Sequence, residues 1–202
     1  MKESRVTVYN TTQSILKTLD NTRDTSQTKA LLANIRNSIN KNITSNIDAL
    51  AYIFSKLPEN YLGNFGDLTN QEKAILIAIQ MYAIHQQSSN SSVLKVYGQE
   101  SKYKDNIGEA LSTLRSADSE SIDKRFNAMI TSSNFKELRH HLRQLIKILK
   151  AKSDAKVDYA KLADDLYWYL MGQKDKIKLQ WSRSFYKFRK NEKTEGEIQN
   201  EE

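Results

Sequence analysis

Apolar residues recur along this chain at helical spacing. Val8, Ile15, Leu16 and Leu19 share one side of a segment near residues 5–20, and Leu31, Leu32, Ile35 and Ile39 do so near 25–40. Intervals of three and four place side chains on one helical face, whereas a strand would alternate every two. A third helix is predicted over roughly 44–57, with Ile47, Leu50, Ala51, Phe54 and Leu57 facing inward. Pro58 stops it, because proline cannot continue a helix. The following Glu-Asn-Tyr-Leu-Gly-Asn-Phe-Gly-Asp-Leu reads as an irregular connection. Thr69 and Glu72 then have the spacing of a capping box, in which each side chain satisfies the other's free backbone N–H. The segment behind them, from Lys73 to His85, is apolar almost all round. A helix without a polar face is buried, so this one belongs at the centre of the first half.

Residues 86–103 are polar and serine-rich, which predicts a long mobile loop or a domain boundary. Five further helices are predicted near 102–115, 119–131, 134–151, 158–171 and 174–190. Asn134 and Asp158 are expected N-caps, with Glu137 completing a box-like pattern after Asn134. Leu138, Leu142, Leu145 and Leu149 form one apolar stripe, and Ile177, Trp181, Phe185 and Phe188 another. Short gaps between these helices favour antiparallel packing. The expected fold is all-α, two small helical bundles of about eight or nine helices. Residues 1–98 would form an N-terminal bundle, 99–190 a basic C-terminal bundle and 191–202 a disordered acidic tail.

Composition sharpens this reading. One proline and six glycines in 202 residues leave too few turns for a β-sandwich or barrel. With 39% hydrophobic residues the chain can bury a core. The absence of cysteine excludes disulfides and thiolate metal sites. No apolar signal core opens the chain, and no stretch approaches the ~18 apolar residues of a membrane span, so a cytoplasmic location without membrane contact is expected. The net charge of +7 is unevenly spread. Residues 134–190 carry fifteen Lys/Arg against six Asp/Glu, residues 1–133 fifteen against thirteen, and residues 191–202 one against five. A concentrated positive field attracts polyanions.

Catalytic motifs are missing. Gly63-Asn-Phe-Gly66 lacks the lysine and following Ser/Thr of a phosphate loop, and no Gly-x-Ser-x-Gly or His-Glu-x-x-His occurs. His140 and His141 are adjacent, so they point ~100° apart on a helix and cannot both face one metal. These two and His85 read as exposed or half-buried residues. Asp164 and Asp165 are likewise neighbours and read as a solvated helix face. No catalytic residue, metal or cofactor is expected.

The basic positions carry the functional signal. Arg139, Arg143, Lys147 and Lys150 form one stripe beside the leucines, with no acidic residue on it. Such a row matches a phosphate backbone, where each neutralised phosphate releases counterions. It also matches a merely solvated face, since long basic side chains commonly coat helices. Arg115, Lys124, Arg125, Arg36, Lys29, Arg183 and Lys187 add further basic positions. Tyr159, Trp168, Trp181 and Phe185 fall on apolar stripes and are expected in the core, which favours backbone contact over base reading. A structural scaffold whose basic faces dock acidic protein partners is the alternative reading.

Five pieces in order carry a resemblance: Asn-Ile-Gly-Glu-Ala-Leu (106–111), Ser-Ile-Asp-Lys-Arg-Phe (121–126), His-Leu-Arg-Gln-Leu-Ile-Lys-Ile-Leu (141–149), Val-Asp-Tyr-Ala-Lys-Leu-Ala-Asp-Asp-Leu (157–166) and Trp-Ser-Arg-Ser-Phe-Tyr (181–186). Ala-Asn-Ile-Arg (33–36) and Leu-Gly-Asn-Phe-Gly (62–66) agree more loosely. The series resembles the CasB family, the small subunit of the type I-E CRISPR Cascade complex. The resemblance implies an all-helical, non-catalytic protein. Two copies of it would line the inner face of the complex beside the other Cascade subunits and the guide RNA. There a basic surface would hold target DNA and help keep the displaced strand of the R-loop open. Arg36, Arg115, Lys124, Arg125, Arg139 and Arg143 fall at or near basic positions of the family's motifs. Lys147 and Arg183 join them from helix geometry as candidate nucleic-acid contacts.

Overall fold

The computed structural model of the chain describes residues 6–40, 47–64, 66–97, 104–115 and 120–187. Among these, α1 spans Val8–Asn21, α2 Ser26–Asn37, α3 Ile47–Phe54, α4 Asn70–Gln86, α5 Ile107–Ser112, α6 Glu120–Ile130, α7 Phe135–Lys152, α8 Tyr159–Trp168 and α9 Lys174–Tyr186. The fold is all-α. One π-helical turn over Tyr169–Gln173 carries α8 into α9, and Gly172 takes a φ of 90° within it. Among the described residues the single extended pairing is an isolated parallel bridge between Leu94 and Val157.

The elements begin where local chemistry starts them. Thr7, Thr25, Thr69, Asn134 and Asp158 each accept from a backbone N–H of the first turn. At α4 the capping box is complete: Glu72 N donates to Thr69 Oγ1 at 3.1 Å and Thr69 N to Glu72 Oε2 at 2.6 Å. Each cap contributes about 1 kcal/mol by satisfying donors the helix leaves free.

Helix α4 is buried on every side, from Ala74 to Gln86. It packs against α8, α7, α2 and α1, and α8 also lies along α1. One hydrophobic cluster therefore joins Leu16 and Leu19 to Ile75 and Ile79, and on to Leu142, Leu162 and Leu166. Helices from both sides of residue 98 share this core. Helices α5, α6 and α9 extend it through Phe126 and Phe185, whose rings stack at 3.7 Å.

Five expectations change. In α3 the buried residues are Ala49, Leu50 and Ile53, with Leu57 beyond it, while Ile47 is 68% exposed and Ala51 exposed. The helix is rotated so that Ala49 and Ile53, at i and i+4, form the inward line. Trp168 is 40% exposed, because Tyr169 takes the inward position as the helix enters its π turn. Asp165 is fully buried rather than solvated, since Lys161 Nζ and Trp181 Nε1 both donate to it. His85 is buried too, against Tyr159. In the serine-rich stretch, Val93 and Leu94 are buried, and Lys95 and Val157 donate backbone N–H groups to Val157 and Val93 at 2.9 Å each. Residues 92–97 are thus tied to the core. Phe188 and the 191–202 segment lie outside the described residues.

Candidate nucleic-acid interface

Helix α7 is amphipathic because its leucines recur at i, i+4, i+7 and i+11. Leu138, Leu142, Leu145, Ile146 and Leu149 are all buried, and α7 rests with that face on α4 and α6. Burying five such side chains stabilises the helix by about 1.5–3 kcal/mol each before entropy is counted. The flanking face carries Arg139, Arg143 and Lys150 half-buried and Lys147 exposed. Lys136, exposed and one turn before Arg139, extends the stripe.

Helix α2 packs on α4 from elsewhere around its circumference, and this brings Arg36 toward α7. Arg36 Nη1 donates to the Ala83 carbonyl of α4 at 3.3 Å. A cation there suits the negative end of the α4 dipole. Arg36, Arg143, Lys147 and Lys150 then line one concavity of about 540 Å³, with Asn37, Ile39, Ile84, Gln87 and Ala151. Among the described residues no carboxylate lines it. Lys150 Nζ donates to Gln87 Oε1 at 3.4 Å. Burial pushes the Arg36 guanidinium below its usual range, and burial plus the Arg36 charge does the same to Lys150.

A second concavity of about 470 Å³ continues from Arg36 and Gln87 to Arg23, Lys29 and the Ser88–Asn90 turn, with Asp24 as the one acid among its described lining residues. Ser88 holds a φ of 61° in that turn, and Ser89 N donates to Gln86 O at 3.1 Å. Together the two concavities make a basic groove across the C-terminal end of α4. A third cleft, lined by Lys95, Asp105, Glu109, Lys156 and Asp158 among others, mixes signs and presents no such field.

Three of the eight sequence-predicted residues, Arg36, Arg143 and Lys147, meet in the groove, and Arg139 continues their stripe. The other four lie apart. Arg115 grips Asp123 through Nε at 3.0 Å and Nη2 at 3.3 Å, and its guanidinium sits 5.3 Å from the Phe185 ring and 4.9 Å from the Tyr186 ring. That arginine ties α5 to α6 and α9. Lys124 pairs with Glu120 at 2.6 Å on the exposed face of α6. Arg125 and Arg183 are exposed on α6 and α9. Arg23 and Gln87 had no local signal: they reach the groove only because α1, α2 and α4 converge there.

His85 Nδ1 and the Tyr159 hydroxyl are hydrogen-bonded at 2.9 Å, and burial, aided by the Lys150 charge, lowers His85 to about 4. Among the described residues no group of three His, Cys, Asp or Glu is placed to hold a metal ion. None of the described helices is long and apolar enough to cross a membrane.

The family model described as CRISPR-associated protein Cse2 matches residues 31–186. In fold the chain is similar to the crystal structure of CasB from Thermobifida fusca, with 23% identity and a TM-score of 0.66 over 88% of this chain and 97% of that one. CasB from Thermus thermophilus is 21% identical with a TM-score of 0.61, covering 87% and 97%. CasB from M. ruber is 20% identical with a TM-score of 0.64, covering 87% and 92%. No curated protein sequence matches the chain.

Proposed function

Since the chain belongs to the Cse2 (CasB) family, the small subunit of type I-E Cascade, we propose that its basic groove holds nucleic-acid backbone within that complex without reading sequence. One observation carries the reading: Arg36, Arg143, Lys147 and Lys150, from two helices, converge on a concavity that, among the described residues, no carboxylate lines. Lone cations on a solvated face need no such convergence. Guide–target pairing replaces one duplex by another of similar stability, so modest backbone contacts tip the balance. Salt-dependent contacts to the target strand and to the displaced strand would stabilise the R-loop in this way. The role is non-catalytic and cytoplasmic, with guide RNA, target DNA, other Cascade subunits and a second copy of the chain as partners. The division into an N-terminal and a C-terminal bundle near residue 98 belongs to the same proposal, with α4, α7 and α8 supplying the shared core.

The test is fluorescence anisotropy with labelled single-stranded and duplex DNA across a salt series. An Arg143→Ala/Lys147→Ala/Lys150→Ala variant should bind more weakly, and its salt slope should be shallower by about 0.7 per lost contact to a single strand. Unchanged binding in that variant, with loss in an Arg125→Ala/Arg183→Ala variant, would move the site to α6 and α9. Equal binding by all three proteins would sink the groove reading.

A further inference from the structure

Two neighbouring glutamines close α4, and the fold uses them differently. Gln86 is buried and its amide is engaged within the chain. Its Nε2 donates to Ser91 O at 2.9 Å and to Ser89 O at 3.3 Å, and its Oε1 accepts from Val93 N at 3.1 Å. Those three bonds hold the turn that follows against the end of the helix. Gln87, the C-cap residue, leaves the helix with a φ of −58° and a ψ of 123° and is exposed. It lines both concavities of the basic groove, as Arg36 does.

The Gln87 amide has a fixed sense. Lys150 Nζ donates to its Oε1 at 3.4 Å, and turning the amide over would set its NH₂ donors against an ammonium. The acceptor end is therefore committed to Lys150, and the donor end is what the groove offers a ligand. We propose that Gln87 Nε2 is a strand contact, donating to a phosphate oxygen where the two concavities meet. This rests on the reading of the groove as a backbone-binding surface. Side-chain amides are ordinary donors to phosphate oxygens. The junction is where a neutral donor counts for most. On one side lie the cations of α7. On the other, Asp24 sits 3.8 Å from Arg23 and offsets part of its charge. Arg36 Nη1 is engaged by Ala83 O. The bonds of Gln86 keep the turn in place, so little ordering entropy is lost when a phosphate arrives.

A neutral donor leaves a distinct signature. Replacing a cation lowers affinity and also flattens its dependence on salt, because fewer counterions are released. Losing Gln87 lowers affinity by the same factor at every salt concentration. If Gln87 served only to hold Lys150, its loss would instead look like the loss of that lysine.

Fluorescence anisotropy of the full chain with labelled oligothymidine and oligodeoxyadenosine, from about 20 to about 200 mM salt, tests this. Gln87→Ala should bind about 10-fold more weakly throughout, with the parent's salt slope and the same loss on both oligonucleotides. Gln87→Glu keeps an acceptor for Lys150 but removes the donor, and should bind at least as weakly as Gln87→Ala. The residue is exposed and has ordinary backbone angles, so neither change disturbs the fold. Affinity of either variant within about 2-fold of the parent would overturn the proposal. So would a slope shallower by about 0.7 in Gln87→Ala, which would make Gln87 a support for Lys150. A loss on one oligonucleotide alone would place the amide on a base edge and overturn it too. The two readings fail separately. A parent that binds neither oligonucleotide removes the groove's function, and this contact with it. Binding lost in the Arg143→Ala/Lys147→Ala/Lys150→Ala variant but kept in Gln87→Ala removes this contact alone.

Discussion

Trp181 donates its indole N–H to Asp165 Oδ2 at 2.7 Å, and both residues are fully buried. This bond clamps α9 to α8 across the turn that joins them. Burial pushes the Asp165 carboxyl above the usual carboxylate range, against the opposing pull of Lys161 and Trp181. Replacing Trp181 by phenylalanine removes one of those stabilising partners and leaves a small cavity. We expect a loss of about 2–4 kcal/mol in urea unfolding. A loss below about 0.5 kcal/mol would show that the bond contributes little.

His85 predicts a pH dependence of definite sign. Its folded pKa is lowered from 6.5 to about 4 by burial, with Lys150 adding to it. The unfolded chain therefore takes up a proton first as pH falls. The neutral-histidine contribution is present above pH 6.5 and lost as pH drops toward 4, by about 3 kcal/mol in all at ~1.4 kcal/mol per unit. The His85 ring should begin to titrate in NMR only near pH 4. In a His85→Gln variant, stability should fall less steeply across that window.

Two glycines should respond differently to the same change. A Cβ on Gly108 would lie 2.1 Å from the backbone oxygen of Trp181, so α5 and α9 would have to separate. Gly108→Ala should cost more than 3 kcal/mol. Gly172, at a φ of 90°, has nothing within 4 Å of an added Cβ. Its alanine variant meets only backbone strain of about 1–2 kcal/mol. Thermal unfolding of the two variants should reproduce that order.

Ser88 presents the opposite case, a residue with a side chain at a φ of 61° in the turn beside the groove. Glycine adopts that conformation without strain. Ser88→Gly should stabilise the fold by up to about 1 kcal/mol, a rise in Tm of a few degrees at this size. A fall in Tm would mean that the serine hydroxyl makes a contact worth more than the strain.

Much of this was legible in the chain. The period of Leu138, Leu142, Leu145 and Leu149 located α7 and its inward face, and the Thr69–Glu72 pair marked the start of α4. Both are local signals, set by residues within one or two turns. The all-round apolarity of Lys73–His85 identified a central helix for the same reason. Asp165 and His85 were misread because their partners are distant in sequence: Trp181 comes from α9 and Tyr159 from α8.

The basic site divides along the same line. The stripe Arg139, Arg143, Lys147 and Lys150 is a property of one helix, so residue spacing alone determined it, as it did the all-α class and the asymmetry of charge. Only the tertiary structure decided which cations share a site. Arg36 meets that stripe because α2 and α7 both pack on α4, while Arg115, although just as basic, is held by Asp123 and two aromatic rings. Charge and periodicity are written locally in a sequence. The meeting of Arg36 with Arg143 depends on which helices bury their apolar faces together, and that choice minimises exposed surface over the whole chain rather than over any one segment.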